Sequence, residues 1–226
     1  MDEFISLTLN SYVGEFPIFD ALIGNIGGAY FKLLPILICI WALWFLPTED
    51  KTKRRAGLLA ALLVAYPVAA FSRFFTGYLP FSIRPLYDPR FELQTSPDIA
   101  WGHLDGVSSM PSDHAAIFFA MSTAILIISR PAGVICLLHS LVAVAFTRIY
   151  FAWHWPSDIL AGALLGIVVA LVFFPILRMG ILAARIIPFF EKREWIGYPL
   201  LFLASYEAAE WFQFSNLVIS QLLSSN

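Results

Sequence analysis

Between Asp158 and Arg178 lie nineteen residues without a charged or hydroxyl side chain. As a helix rising 1.5 Å per residue, that run is about 28 Å long, close to the ~30 Å hydrocarbon core of a bilayer. In lipid the backbone must satisfy its own polar groups, so a run of this kind is a helix and the chain is an integral membrane protein. The rest of the sequence agrees. Charged residues make up 13% of the chain and hydrophobic residues 59%, where a soluble domain carries about 25% charged residues. A net charge of -2 gives no polybasic surface, so no nucleic-acid partner is expected. Cys39 and Cys136 both fall inside apolar runs and read as small packing groups rather than a disulfide. Met1-Asp-Glu-Phe lacks the positive charge of a signal peptide, so no cleaved leader is expected.

Five apolar runs have spanning character: residues 29–46, 56–75, 111–129, 132–150 and 156–177. Residues 4–24 are broken by Glu15, Pro17 and Asp20 and read as an interfacial, partly helical segment. The tail, 195–223, is a sixth span or a cytoplasmic interfacial helix, because Glu207 and Glu210 interrupt it. The predicted fold is therefore an all-α, polytopic transmembrane bundle of five or six spans with an N-terminal interfacial helix, forming a single domain over 1–226. Cations cluster in the turns at Lys51 to Arg55, at Arg130, and from Arg178 through Arg185 to Arg193. Alternating spans put all three groups on one side, which the positive-inside rule makes cytoplasmic.

That topology gathers three polar clusters on the opposite side. They are Arg84-Pro85, with Arg73 upstream; Pro111-Ser112-Asp113-His114; and Arg148, His154 and Asp158. Ionisable groups at the membrane edge are costly and mark functional sites. Arg84, Arg148 and Arg73 offer forked donors for phosphate oxygens. Ser112 caps the third span and leaves backbone N–H groups free for an anion. His114 and His154 can divide nucleophilic attack and proton transfer. A carboxylate four residues after His154 can fix its tautomer. No zinc-type spacing or phosphate-cradling glycine loop is present, so the chemistry is expected to need neither metal nor cofactor.

The three clusters resemble the three signature motifs of the type-2 phosphatidic acid phosphatase superfamily, over roughly residues 56–178. The third is the most specific: Arg148, five residues, His154, three residues, Asp158, with Thr147 where the family usually has serine. Asp113 replaces the glycine of the family's Pro-Ser-Gly-His, and Gly77 stands where its first motif has lysine. The resemblance implies a bilayer-embedded hydrolase of a lipid phosphate, acting through a phosphohistidine. His154 would be the nucleophile, Asp158 its orienting group and His114 the general acid and then base. Arg84, Arg148 and Ser112 would bind phosphate. Arg73 can stand in for the missing lysine only if the chain bends back over the eleven residues to Arg84. Asp113 resembles the branch that includes bacterial undecaprenyl pyrophosphate phosphatases, which implies an isoprenoid pyrophosphate and a plasma-membrane site facing outward.

Two rivals share these residues. A phosphotransferase would pass the same phosphoryl group to a lipid or sugar, and a non-catalytic lipid-phosphate binder or transporter would keep only the fold. Taken singly, most of the residues have plain readings. Arg84 and Arg73 serve as interfacial anchors, Ser112 as a cap, His139 as a packed core histidine, and His103 and Asp105 as loop surface or lid. The joint arrangement of His114, Arg148, His154 and Asp158 is what those readings do not explain.

Overall fold

The computed structural model describes residues 1–95, 106–180 and 185–209, and among them the ordered elements are all helical. Helix α1 covers Asp2–Asn10, α2 Pro17–Gly27, α3 Ala29–Phe45, α4 Lys51–Leu63 and α5 Ala65–Tyr78. After a short 3-10 turn at Pro85–Tyr87 come α6 (Asp113–Ile128) and α7 (Arg130–Ser140). A π-helical turn, Leu141–Phe146, joins α7 to α8 (Thr147–Tyr150). Then follow α9 (Pro156–Met179), α10 (Ile187–Lys192) and α11 (Glu194–Ala209).

Three helical stretches are long and apolar enough to cross a bilayer: Lys51–Tyr78, Arg130–Tyr150 and Pro156–Met179. Helices α2 and α3 make a fourth if their 52° bend is one broken span. The expected count of five or six is therefore reached only by adding shorter helices. The second span starts earlier than its apolar run because Asp50 accepts from the Lys53 N–H at 2.9 Å, a cap that draws the basic turn into the helix. His103, Asp105 and Glu210 lie outside the described residues, as does the tail beyond 209. Helix α11 packs through Leu201 into the main apolar cluster.

Helix α6 is the centre of the bundle. It has 16 residues, about 24 Å at 1.5 Å each. Every residue from Ala115 to Ile125 is buried. Its sequence is apolar all round, which suits a helix with neighbours on every side. Its most extensive packing is with α9. Two glycines make that approach possible. A Cβ at Gly162 would sit 2.3 Å from the Ser112 carbonyl oxygen, and one at Gly166 2.0 Å from that of Ala116. The opposite face of α9 carries exposed Leu160, Leu164, Val168 and Leu171, a stripe suited to lipid tails. Small residues at a membrane-helix interface let backbones pack closely, so Gly166→Ala forces the two helices apart. It is expected to lower the melting temperature in detergent micelles by roughly 5 °C or more. An unchanged melt would contradict this packing.

Candidate active site

The α6–α9 contact brings the second and third polar clusters together. The Ser112 N–H donates to the Asp158 carbonyl at 3.1 Å, which joins the first turns of the two helices. Ser112 also accepts from the Ala115 N–H, at a long 3.5 Å. Helix α8 ends just before the site. The chain reverses there through Ala152, whose φ of 59° lies in the left-handed region that costs a non-glycine residue about 1 kcal/mol or more. The reversal lets both Trp153 and His154 N–H groups point back at the Arg148 carbonyl, at 2.8 and 3.3 Å. Arg148 is 2% exposed. Its guanidinium lies 5.8 Å from the Trp153 ring.

Arg84 arrives from the long connection after α5. Trp155 Nε1 donates to the Ile83 carbonyl at 2.9 Å, and the Leu86 N–H donates to the Ala152 carbonyl at 2.9 Å. These two bonds, one on each side of Arg84, pin it over the 151–155 turn. Its Nη1 lies 2.9 Å from the Trp153 carbonyl and 3.0 Å from His154 Nε2. Its buried Nε has no hydrogen-bond partner among the described residues.

The Arg84 contact fixes the tautomer of His154. A guanidinium only donates, so Nε2 must carry the lone pair and the ring proton sits on Nδ1. Nδ1 faces the Ser109 carbonyl at 3.0 Å, the Ser109 hydroxyl at 3.3 Å and Asp158 Oδ2 at 3.6 Å. The Asp158 separation is an ion-pair distance rather than a hydrogen bond. Oδ2 is occupied by two closer donors, the Ser109 hydroxyl and the Trp155 N–H, the latter at 2.8 Å. Burial holds the His154 pKa below its ordinary value; Asp158 opposes that shift and the charges of Arg84 and Arg148 reinforce it.

His114 sits on the first turn of α6. Asp113 Oδ1 accepts from its backbone N–H at 2.7 Å and lies 2.9 Å from its Nδ1. That carboxylate also acts electrostatically on Arg84, Arg148 and His154, so His114 and Asp113 belong to the same cluster. Each imidazole thus has a carboxylate on its Nδ1 side, one in the next residue and one four residues on.

Residues 56–181, more than half of the chain, match the family model described as the PAP2 superfamily. The chain belongs to the PAP2 superfamily. It is 33% identical over 114 residues to the bacitracin transport permease protein BcrC of Bacillus licheniformis, covering 50% of this chain and 55% of that protein. It is 27% identical over 138 residues to the putative undecaprenyl-diphosphatase YbjG of Escherichia coli, covering 60% of this chain and 62% of that protein. The chain thus spans less than two thirds of the length of these relatives. Among solved structures, a transmembrane PAP2 type phosphatidylglycerolphosphate phosphatase from Bacillus subtilis superposes with a TM-score of 0.46 at 19% identity, over 77% of this chain and 83% of that one.

Against the PAP2 motifs, the structure gathers Arg84, Ser112, His114, Arg148, His154 and Asp158 at one end of the bundle. Arg73 is not among them: it is exposed on α5, one position on from buried Ser72, and so faces outward. Gly77 is exposed too, with nothing within 4 Å of where its Cβ would be. One buried residue of the site is invisible in the motifs. Ser109 bridges His154 and Asp158 from a position 45 residues before His154. It is placed by its N–H donating to the Ser82 carbonyl at 2.8 Å, which closes the long connection on itself. Its only sequence signal is its position two residues ahead of the second PAP2 motif. Ser109→Ala removes one charge-assisted bond to Asp158 but keeps the backbone carbonyl on Nδ1. Turnover is expected to fall by roughly 10- to 100-fold with KM little changed. A steady-state assay showing wild-type kcat would remove Ser109 from the site.

Proposed function

We propose that the chain is a membrane lipid phosphatase working through a phosphohistidine, on an isoprenoid pyrophosphate or another lipid phosphate, at the extracytoplasmic face. The observation that carries this reading is the 3.0 Å contact between Arg84 Nη1 and His154 Nε2. It places a nucleophilic lone pair beside a fixed phosphate-binding cation. A phosphate oxygen takes over the Arg84 donors, and phosphorus then faces Nε2.

The Nε2 lone pair attacks phosphorus and the bond to the leaving oxygen breaks. His114, protonated, gives its proton to that oxygen, which departs as a lipid alcohol or lipid monophosphate. His114, now neutral, takes a proton from water, and the hydroxide displaces the phosphoryl group from Nε2 as inorganic phosphate. His154 returns to its starting state. Through both steps Nδ1 keeps its proton, and Asp158 balances the positive charge on the phosphorylated ring. Arg84 and Arg148 stabilise the equatorial oxygens, the electrostatic work that dominates phosphoryl transfer.

The relative with a diphosphatase name supports a pyrophosphate substrate, and the cation clusters at the far end of the bundle support the outward-facing site. The test is phosphate release by the purified chain, in excess chelator, from undecaprenyl diphosphate, phosphatidic acid and phosphatidylglycerol phosphate. Release from at least one lipid, fastest from the diphosphate, is expected. Products phosphorylated on an added acceptor would point to a transferase. No phosphate and no trapped phosphoenzyme would leave only a binding or transport role.

A further inference from the structure

The first apolar run contains one cation, Lys32. It lies near the start of α3, 9% exposed, inside the bundle rather than toward lipid. Two contacts fix its register. A Cβ at Gly27 would sit 3.1 Å from the Thr147 side chain, so the end of α2, two residues before α3 begins, lies beside the residue preceding Arg148. One and a half turns along, the Lys32 carbonyl lies 2.8 Å from His139 Nε2. Lys32 is therefore bracketed opposite the π-turn that leads into Arg148, and π-turns of this kind favour functional sites. Helical side chains lean toward their own N-terminus, which for α3 is the end where the site lies. The charges acting on its ammonium include Arg148 and Asp113, and it acts in turn on His114.

A lysine buried in a spanning segment is costly unless it has work to do. Among the described residues, Arg84, Arg148 and Lys32 bring three cations to this end of the bundle, beside the carboxylates of Asp113 and Asp158. Three cations converging on one place suit the oxygens of a phosphate, and α5 offers no cation to it, since Arg73 is exposed and position 77 is glycine.

We infer that Lys32 is a phosphate-binding residue, delivered from α3 to the same phosphate that Arg84 and Arg148 hold. The inference rests on the phosphatase reading and extends its site to a helix outside the matched family region. The test uses the full-length protein in detergent micelles, undecaprenyl diphosphate as substrate and inorganic phosphate as inhibitor, with Lys32→Met and Lys32→Arg compared. Methionine keeps the stem and removes the charge. Lys32→Met is expected to lower kcat/KM by roughly 100-fold and to raise the phosphate inhibition constant by about 10-fold or more, at an unchanged or higher melting temperature. Lys32→Arg is expected to keep inhibition by phosphate within a few-fold of wild type. Wild-type turnover and phosphate inhibition in Lys32→Met overturn the inference, as do equal losses in the two variants or a loss matched by a collapsed melt. A wild-type protein that releases no phosphate sinks the phosphatase reading instead.

Discussion

Alanine at position 154 is expected to abolish turnover, leaving phosphate release at least ~10⁴-fold below wild type. The expectation follows from the geometry of one ring. His154 is 4% exposed, its Nδ1 is held by Ser109, and its Nε2 is directed at Arg84. No second nitrogen or oxygen nucleophile is placed beside Arg84 among the described contacts, and His114 is tied to the carboxylate of its neighbour. Removing the ring leaves the arginines able to bind phosphate but nothing to accept the phosphoryl group. Substrate binding should therefore survive while the phosphoenzyme disappears, which a rapid quench with radiolabelled lipid separates cleanly. Full turnover in His154→Ala would overturn the nucleophile assignment, whatever the binding data say.

Asp158→Asn is expected to reduce kcat by roughly 10³-fold while the protein remains folded. The carboxylate is 1% exposed, so its charge is poorly screened. An amide oxygen can still accept from the Trp155 N–H, so the first turn of α9 keeps its cap. What is lost is the negative charge 3.6 Å from Nδ1, which in the proposed mechanism would oppose the cost of a phosphorylated, cationic ring. The pH profile gives an independent readout. Attack needs an unprotonated His154, and burial already holds its pKa below the ordinary ~6.5. The acidic limb of kcat/KM in the wild type should therefore lie below about pH 6.5, with activity lost as pH falls through the folded-state value. Asp158 favours the protonated ring, so its removal should move that limb further toward acid even as the rate drops. A variant with wild-type kcat, or with the limb displaced to higher pH, would contradict the assigned role.

Much of this arrangement was legible from residue type and spacing, because it depends on local rules. Pro156 starts α9 as a first-turn proline should, and Asp158 falls three residues after the capping Trp155. The uninterrupted run from Ile159 to Leu177 leaves no alternative to a spanning helix. What escaped the sequence depends on how distant segments meet. Ser109 is one serine among several in a polar connection, and only the pairing of Ser109 with Ser82 brings it against His154. Lys32 reads as an ordinary cation near a helix end, where a long stem snorkels to water; in the folded bundle it is 9% exposed. The N-terminal segment reads as interfacial and partly helical, because Glu15, Pro17 and Asp20 break it. Its Asn10 Nδ2 donates to the Tyr150 carbonyl at 2.9 Å, and the Tyr150 hydroxyl donates to Asp20, so these two polar side chains face protein rather than water.

The shortness of α6 has a consequence for how a substrate is reached. With its Ser129–Arg130 end level with one water boundary, a helix of about 24 Å stops some 6 Å short of the far edge of a ~30 Å apolar slab, and any tilt deepens the deficit. With that placement His114 and its companions would lie below the plane of the surrounding headgroups. In the proposed reaction a phosphorylated lipid would have to sink by several ångströms, taking its polar end into a recess framed by protein. For the lipid phosphatase proposed above, such a recess would admit headgroups of one or two phosphates more readily than bulkier ones. Selectivity of this kind comes from depth alone and needs no residue that reads the chemistry of the tail.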